Sequence, residues 1–463
     1  MANLELEAGE TAPREGASLD FSFVVSGIWP LLLAGFIFRI IIGAIPGTGF
    51  DIDTGTFTAW SARLADRSPW NFYSRDYFSD YAPGYLYVLW LFGELNAKLH
   101  FGPDTFEFIL KLPSILADVG IAYILYRFLE GQKPALRLGA AAIYLLFPPA
   151  LLMGAVWGQV DSLSVVFLML SLFWIRSDRP MEGAAAYVVG FVIKPQIIAA
   201  LPFLAFWIMR RNPPQWSKPA GELIPLVWLK TAAVGFGVLL LLIFPFFPDY
   251  PWDFITHLKN SADVENYRVG SFWAYNFWGI QDFFKPDNVD SCLTNPACTG
   301  AEFWGIEYRY WGIALFALSI VVILYVMRNA EGDWALALGT ALCLLAFYMF
   351  LTRMHERYMF PFFVPFLAAC ALSHSRLLWG VFVVLAITQF LNLYQVYVYY
   401  QPNDLRIQDL YQYFERPEVL SLGWKFPEWK LQQWLSFITF IAFPITLVIT
   451  YVLANPFRRS EGT

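Results

Sequence analysis

The sequence predicts an all-α polytopic membrane protein, and three observations carry that prediction. Of 463 residues, 58% are hydrophobic and only 15% are charged, a membrane composition. The apolar residues gather in runs close to the roughly 20 residues that a helix needs to cross a bilayer. The connections between runs divide into short ones carrying Arg and long ones rich in Trp and Tyr. About twelve spans follow, forming one transmembrane domain over 21–455 between polar tails over 1–20 and 456–463.

The first run, 21–45, reads as a retained anchor, because the chain ahead of it is acidic and ends in no small-residue cleavage site. A long external loop over 46–104 comes next, and its stretch 85–98 reads as an amphipathic or re-entrant helix. Runs at 106–129, 134–154 and 163–175 are spans. The segment 181–209 carries FVIKPQII at its middle, and Pro195 after Lys194 breaks one long helix into two short ones that go up and return. Further spans are expected at 223–247, 310–327, 334–351, 360–371, 377–399 and 434–453, with external loops over 248–309 and 401–430.

Basic residues set the direction, since Lys and Arg in short loops stay cytoplasmic. Arg127, Lys133 and Arg137 mark one junction, Arg176 and Arg179 the next, and Arg210 with Arg211 a third. Arg328, Arg376, Arg458 and Arg459 fall on the same side, so both termini are cytoplasmic and the three long loops face out. Cys292 and Cys298 lie in one of these loops, in DSCLTNPACT, and pair there if that face is oxidising; otherwise they are two free thiols.

Several chemistries are excluded or disfavoured. The net charge of −6 without a basic block argues against nucleic acid. There is no G-x-x-x-x-G-K-[ST], H-E-x-x-H or G-x-S-x-G string. Four histidines argue against a histidine-rich metal site, and no metal or cofactor is expected. No internal repeat or inverted pair of broken spans marks a transporter.

Charges inside spans need partners or a function. Arg39 reads as a residue that snorkels to the interface or as a functional cation. Lys111 and Asp118 are seven apart on one helix face and are expected to pair. The expected topology also delivers Asp51, Asp53, Asp80, Tyr81, Gln159, Asp161, Lys194, Arg353, His355, Glu356 and Arg357 to one outer face. Such a set could hold a lipid-linked phosphate on its cations while a carboxylate takes a proton from a hydroxyl. Each residue also has a bland role: Asp51 or Asp53 as a cap of a helix beginning in TGTFTAW, Asp161 as a cap of the next span, Lys194 on carbonyls at its own break, and Glu356 with Arg357 as a local pair.

The stretches SDYAPGYLY, GQVDSLSVVF, FVIKPQ and RMHERYMFPFF resemble the polytopic GT-C glycosyltransferases, which take sugar from a polyprenyl or dolichyl monophosphate. The similarity is to the dolichyl-phosphate-glucose glucosyltransferases of N-glycan precursor assembly and to bacterial relatives of the second mannosyltransferase of GPI-anchor synthesis. In the glucosyltransferases an external Asp precedes a Trp by seven residues, a D-Y-P-P stretch follows, and H-E-K comes late. Here Asp53 stands seven before Trp60, Asp80 opens DYAP, and His355 to Arg357 read HER.

The resemblance covers roughly 38–363. It implies a GT-C fold with Asp53 as catalytic base and with Asp80 and His355 binding sugar and phosphate. It departs at Arg357, where the family has Lys, and at Ala82, where it has Pro; Arg still donates to phosphate but with another geometry. The function expected is transfer of a hexose, mannose or glucose, from a polyprenyl-phosphate-sugar donor to a glycan or glycolipid acceptor. Transfer would occur on the external face of a bacterial plasma membrane, with inversion at the anomeric carbon. A retaining route would need Asp51 or Asp80 in bonding reach of that carbon. Rivals are an enzyme with a pyrophosphate-linked donor and a lipid-carrier flippase without chemistry.

Overall fold

The computed structural model describes residues 27–74, 77–214, 224–264, 268–281, 283–289, 301–401, 414 and 429–455. Both tails, the Cys292 and Cys298 pair and nearly all of the 401–430 loop lie outside them. Within them the chain is an all-α membrane protein. Six helices are long and apolar enough to cross a bilayer: α4 (Pro103–Phe128), α10 (Leu226–Ile243), α12 (Tyr308–Met327), α13 (Asp333–Phe350), α15 (Arg376–Tyr400) and α16 (Leu431–Ala454). The pair α5 (Pro134–Leu145) and α6 (Pro148–Trp157) passes the same test together but bends by 42°. The shorter apolar helices α1 (Ile28–Gly43), α8 (Pro180–Ile193) and α14 (Phe360–Ser373) fill out the bundle with α7 (Asp161–Arg176) and α9 (Leu201–Arg211).

Proline writes many of these boundaries. It occupies the first turn of α4, α5, α6 and α8, where its missing N–H costs nothing. Pro195 forces Lys194 out of the helical region, to φ −143° and ψ 111°. A 3₁₀ turn over Pro195–Ala200 then leads into α9. The chain reverses here, because Arg211 at the far end of α9 bonds Asp178, in the turn ahead of α8, at 2.9 Å. Arg210 reaches the carbonyls of Met327, Arg328 and Ala330, so several basic turns share one end of the bundle.

The stretch 51–99 forms a hairpin of α2 (Asp51–Arg67) and α3 (Pro83–Leu99) at the other end. Phe57, Trp60, Leu64, Tyr85, Leu86 and Leu89 are buried between and beneath the two helices. A Cβ added at Gly93 would stand 2.0 Å from the Ser61 carbonyl oxygen, and one at Gly84 would stand 2.5 Å from the Ile193 nitrogen. Backbone therefore meets backbone at both points, and Gly84 seats α3 one residue before Lys194. We expect Gly84→Ala to cost about 1–3 kcal/mol in thermal unfolding of the detergent-solubilised protein. Gly55→Ala, with nothing within 4 Å and a helical backbone, should not lower stability and should raise it by up to about 1 kcal/mol.

The 248–309 region contributes α11 (Asp253–Ala262), strand β1 (Ser271–Phe272) and the β2 (Glu302–Phe303) and β3 (Ile306–Glu307) hairpin. Strand β1 pairs in parallel with β4 (Met354–His355), Phe272 opposite His355.

Two expected charge roles are corrected. Asp118 does not pair with Lys111. It takes Arg39 Nε at 3.1 Å with both side chains fully buried, while Lys111 pairs with Glu107 one turn earlier at 3.0 Å and donates to Thr48 Oγ1 at 3.1 Å. Nor does Arg39 snorkel, since its Nη1 donates to the Leu145 carbonyl at 2.7 Å inside the bundle. A buried carboxylate accepts the nearest geometrically suitable fork, and the Arg guanidinium supplies one from another helix.

Candidate active site

The cluster is built where helices stop. Residues 151–157 wind as a π-helical turn, a form frequent at functional sites. Gly158 then takes φ +87°, a conformation that glycine adopts without steric cost, and α7 begins at Asp161. This turn points Trp157 and Gln159 at Asp53. The helix α2 starts at Asp51, three residues earlier than expected, with Phe50 as its N-cap and no side-chain cap bond. Asp53 is consequently a first-turn residue of α2 and is not its cap.

Asp53 Oδ2 accepts two hydrogen bonds, from Trp157 Nε1 at 2.7 Å and from Gln159 Nε2 at 2.5 Å. No donor among the described residues reaches Oδ1. Phe50 stacks on Trp157 with ring centroids 4.3 Å apart, which fixes the indole. The Gln159 amide is oriented from its other end, where Oε1 accepts from Lys194 Nζ and from the Tyr81 hydroxyl, each at 3.2 Å. Lys194 also pairs with buried Asp161 at 2.5 Å, and Gln196 Nε2 donates to the second Asp161 oxygen at 2.7 Å. Asp53, Gln159, Tyr81, Lys194 and Asp161 thus form one hydrogen-bonded chain through four separate segments.

A second group faces it. Arg357 Nη1 donates to Glu356 at 2.7 Å, while its Nε has no acceptor among the described residues. Asp80 feels the charges of Arg357, Asp53 and Lys194. Burial pushes the Asp80 carboxyl above the ordinary range, Asp53 adds to that, and its own backbone N–H, Arg357 and Lys194 oppose it. Burial, reinforced by the positive charges of Arg357 and Lys194, lowers His355 well below the usual imidazole value. His355 is therefore neutral at pH 7, with its ring 4.7 Å from Phe272. Burial likewise raises Glu356 against the pull of Arg357.

Two expected members stand apart. Asp51 is exposed and its negative charge lies near the N-terminus of α2, where it complements the helix dipole. Arg353 takes φ 64° and is consumed by Asp287 and Asp263, each at 2.7 Å. It ties Asp263 and Asp287 to the HER segment instead of facing the cluster. Gln196 joins without having been expected, and Trp157, which the WGQVD string carries to this face, is found as a donor to Asp53. Both lie inside strings already conspicuous in the sequence, WGQVD and FVIKPQ, but only the π-helical turn and the Lys194 reversal show where they aim.

The arrangement offers a half-buried carboxylate with one oxygen fixed by two donors and the other open. Near it stand a guanidinium with a spare N–H and a tyrosine, and a neutral imidazole lies within reach of the charges of that guanidinium and Lys194. That set suits proton removal from a hydroxyl next to an anion. No protein-family model matches this chain, and no curated protein matches it.

Proposed function

We propose that this protein is an integral-membrane glycosyltransferase of GT-C type that moves a hexose from a polyprenyl-phosphate carrier to a lipid-linked or cell-envelope acceptor. All twelve apolar segments cross the bilayer in this proposal, and the Asp53 end faces outward. The observation that carries it is the pairing of Asp53, with its open Oδ1, and Arg357, with its unmatched Nε, close enough for the Asp53 charge to act on the guanidinium. The first serves as base for the acceptor hydroxyl and the second holds the departing phosphate. The phosphate is already a good leaving group, so the attack needs one base and inverts the anomeric centre.

The carrier tail has a place to lie. Between α8, α9 and α10 runs an apolar groove of about 480 Å³, lined by Tyr187, Phe191, Ile198, Leu204 and Leu239 among others. Its Phe191 and Ile198 end adjoins Lys194, and α10 buries only Gly235 and Ile243, so the groove opens toward lipid. Lys194 is matched by Asp161 and acts by orienting Gln159, with Arg357 as the principal phosphate ligand.

The test is incubation of purified protein in vesicles with radiolabelled polyprenyl-phosphate mannose or glucose and a lipid acceptor extract. Labelled product with inverted anomeric configuration supports the proposal; absence of product with both sugars refutes it. Trp157→Phe keeps the stack on Phe50 but removes the donor to Asp53, and should lower turnover by roughly tenfold or more, the worth of a hydrogen bond to a charged group.

A further inference from the structure

The end of the bundle away from Lys194 holds a second, polar cavity of about 510 Å³, bounded by the C-termini of α9 and α12 and the turn ahead of α13. Arg210, Arg211 and Arg328 line it together with Glu331, Asn329 and Trp207. Three positive side chains therefore face a single negative one.

Arg210 has a structural task. It caps α12 by donating to the carbonyls of Met327 at 3.0 Å, Arg328 at 2.9 Å and Ala330 at 2.5 Å, with its guanidinium 4.7 Å from the Trp207 ring. Arg211 and Arg328 have no comparable task. Arg211 gives Nη1 to Asp178 at 2.9 Å and lies 5.5 Å from Trp207. Arg328 gives Nη1 to the Tyr325 carbonyl at 2.6 Å and lies 3.8 Å over the Tyr325 ring. Each is held by one bond and one aromatic face, which leaves most of its five N–H donors uncommitted. A guanidinium fixed in this way matches phosphate oxygens without losing further side-chain freedom. Topological sorting accounts for basic residues in a short loop, but it does not require them to converge on one cavity.

We infer that this cavity binds a phosphate anion, carried by an anionic phospholipid headgroup or free in solution. A lipid headgroup is the anion that a basic pocket at the end of membrane helices meets first. The site is separate from the Asp53 cluster, at the opposite end of the bundle.

The experiment titrates purified protein with phosphatidylglycerol, phosphatidylcholine and inorganic phosphate, reading binding by native mass spectrometry and thermal protection. The wild type should bind phosphatidylglycerol in preference to phosphatidylcholine. Arg211→Ala with Arg328→Ala, which leaves the Arg210 cap intact, should weaken that binding roughly 25-fold, about fivefold for each basic side chain. Protection by inorganic phosphate identifies the free anion as a ligand; protection by phosphatidylglycerol alone identifies the lipid. Should the double variant not fold, Arg328→Gln carries the test with a loss of about fivefold. Equal binding by wild type and variants, or no preference over phosphatidylcholine together with no protection by inorganic phosphate, overturns the proposal.

Discussion

Asp53→Asn is expected to lower hexosyl transfer by roughly 10²- to 10⁴-fold, the usual worth of a general base, while the protein folds and still binds donor. The asparagine carbonyl can go on accepting from Trp157 Nε1 and Gln159 Nε2, which now reach Asp53 Oδ2 at 2.7 and 2.5 Å. What disappears is the basic oxygen on the open side. Donor affinity should hold, because the phosphate is assigned to Arg357, whose contact to Glu356 does not involve Asp53. Initial rates and donor binding measured on the same preparation check this. Asp51→Asn is the control and should retain activity, since that residue is exposed in the first turn of α2.

The second large effect concerns stability. Arg39→Leu removes the partner of Asp118 and leaves a fully buried carboxylate whose remaining donors among the described residues are the Tyr144 hydroxyl at 2.7 Å and the Ser162 hydroxyl at 2.6 Å. Breaking a buried ion pair on one side costs about 3–5 kcal/mol, and thermal unfolding in nanodiscs should show a loss of that order. Adding Asp118→Asn removes the stranded charge and keeps an acceptor for both hydroxyls, so the double variant should recover much of the loss. If the two single losses simply add, the pair is not coupled.

The sequence made the helices legible because apolar run length and proline report them directly. It also made the reversal at Lys194 legible, since Pro195 excludes the helical conformation one residue earlier. The convergence of Asp53, Tyr81, Gln159, Asp161 and Lys194 could be read for the same reason, as each sits where an apolar run ends. Partner choice could not. Lys111 and Asp118 share a helix face, yet Asp118 binds Arg39 from 79 residues away, because close packing of α1 against α4 brings a better fork than the same-helix neighbour. Arg353 looked equivalent to Arg357 in RMHERY, but contacts to Asp263 and Asp287 depend on a loop whose path no local pattern encodes. The π-helical turn that aims Trp157 is likewise set by tertiary packing and leaves no periodic trace.

The most direct measurement is a structure of the protein in nanodiscs with a bound polyprenyl-phosphate hexose or a non-hydrolysable analogue. The expected result places the phosphate against Arg357, the anomeric carbon on the Oδ1 side of Asp53 and the tail in the α8, α9 and α10 groove. A headgroup found elsewhere, or a lipid running the length of a polar path with its sugar away from Asp53, would contradict the assignment of Asp53 as base.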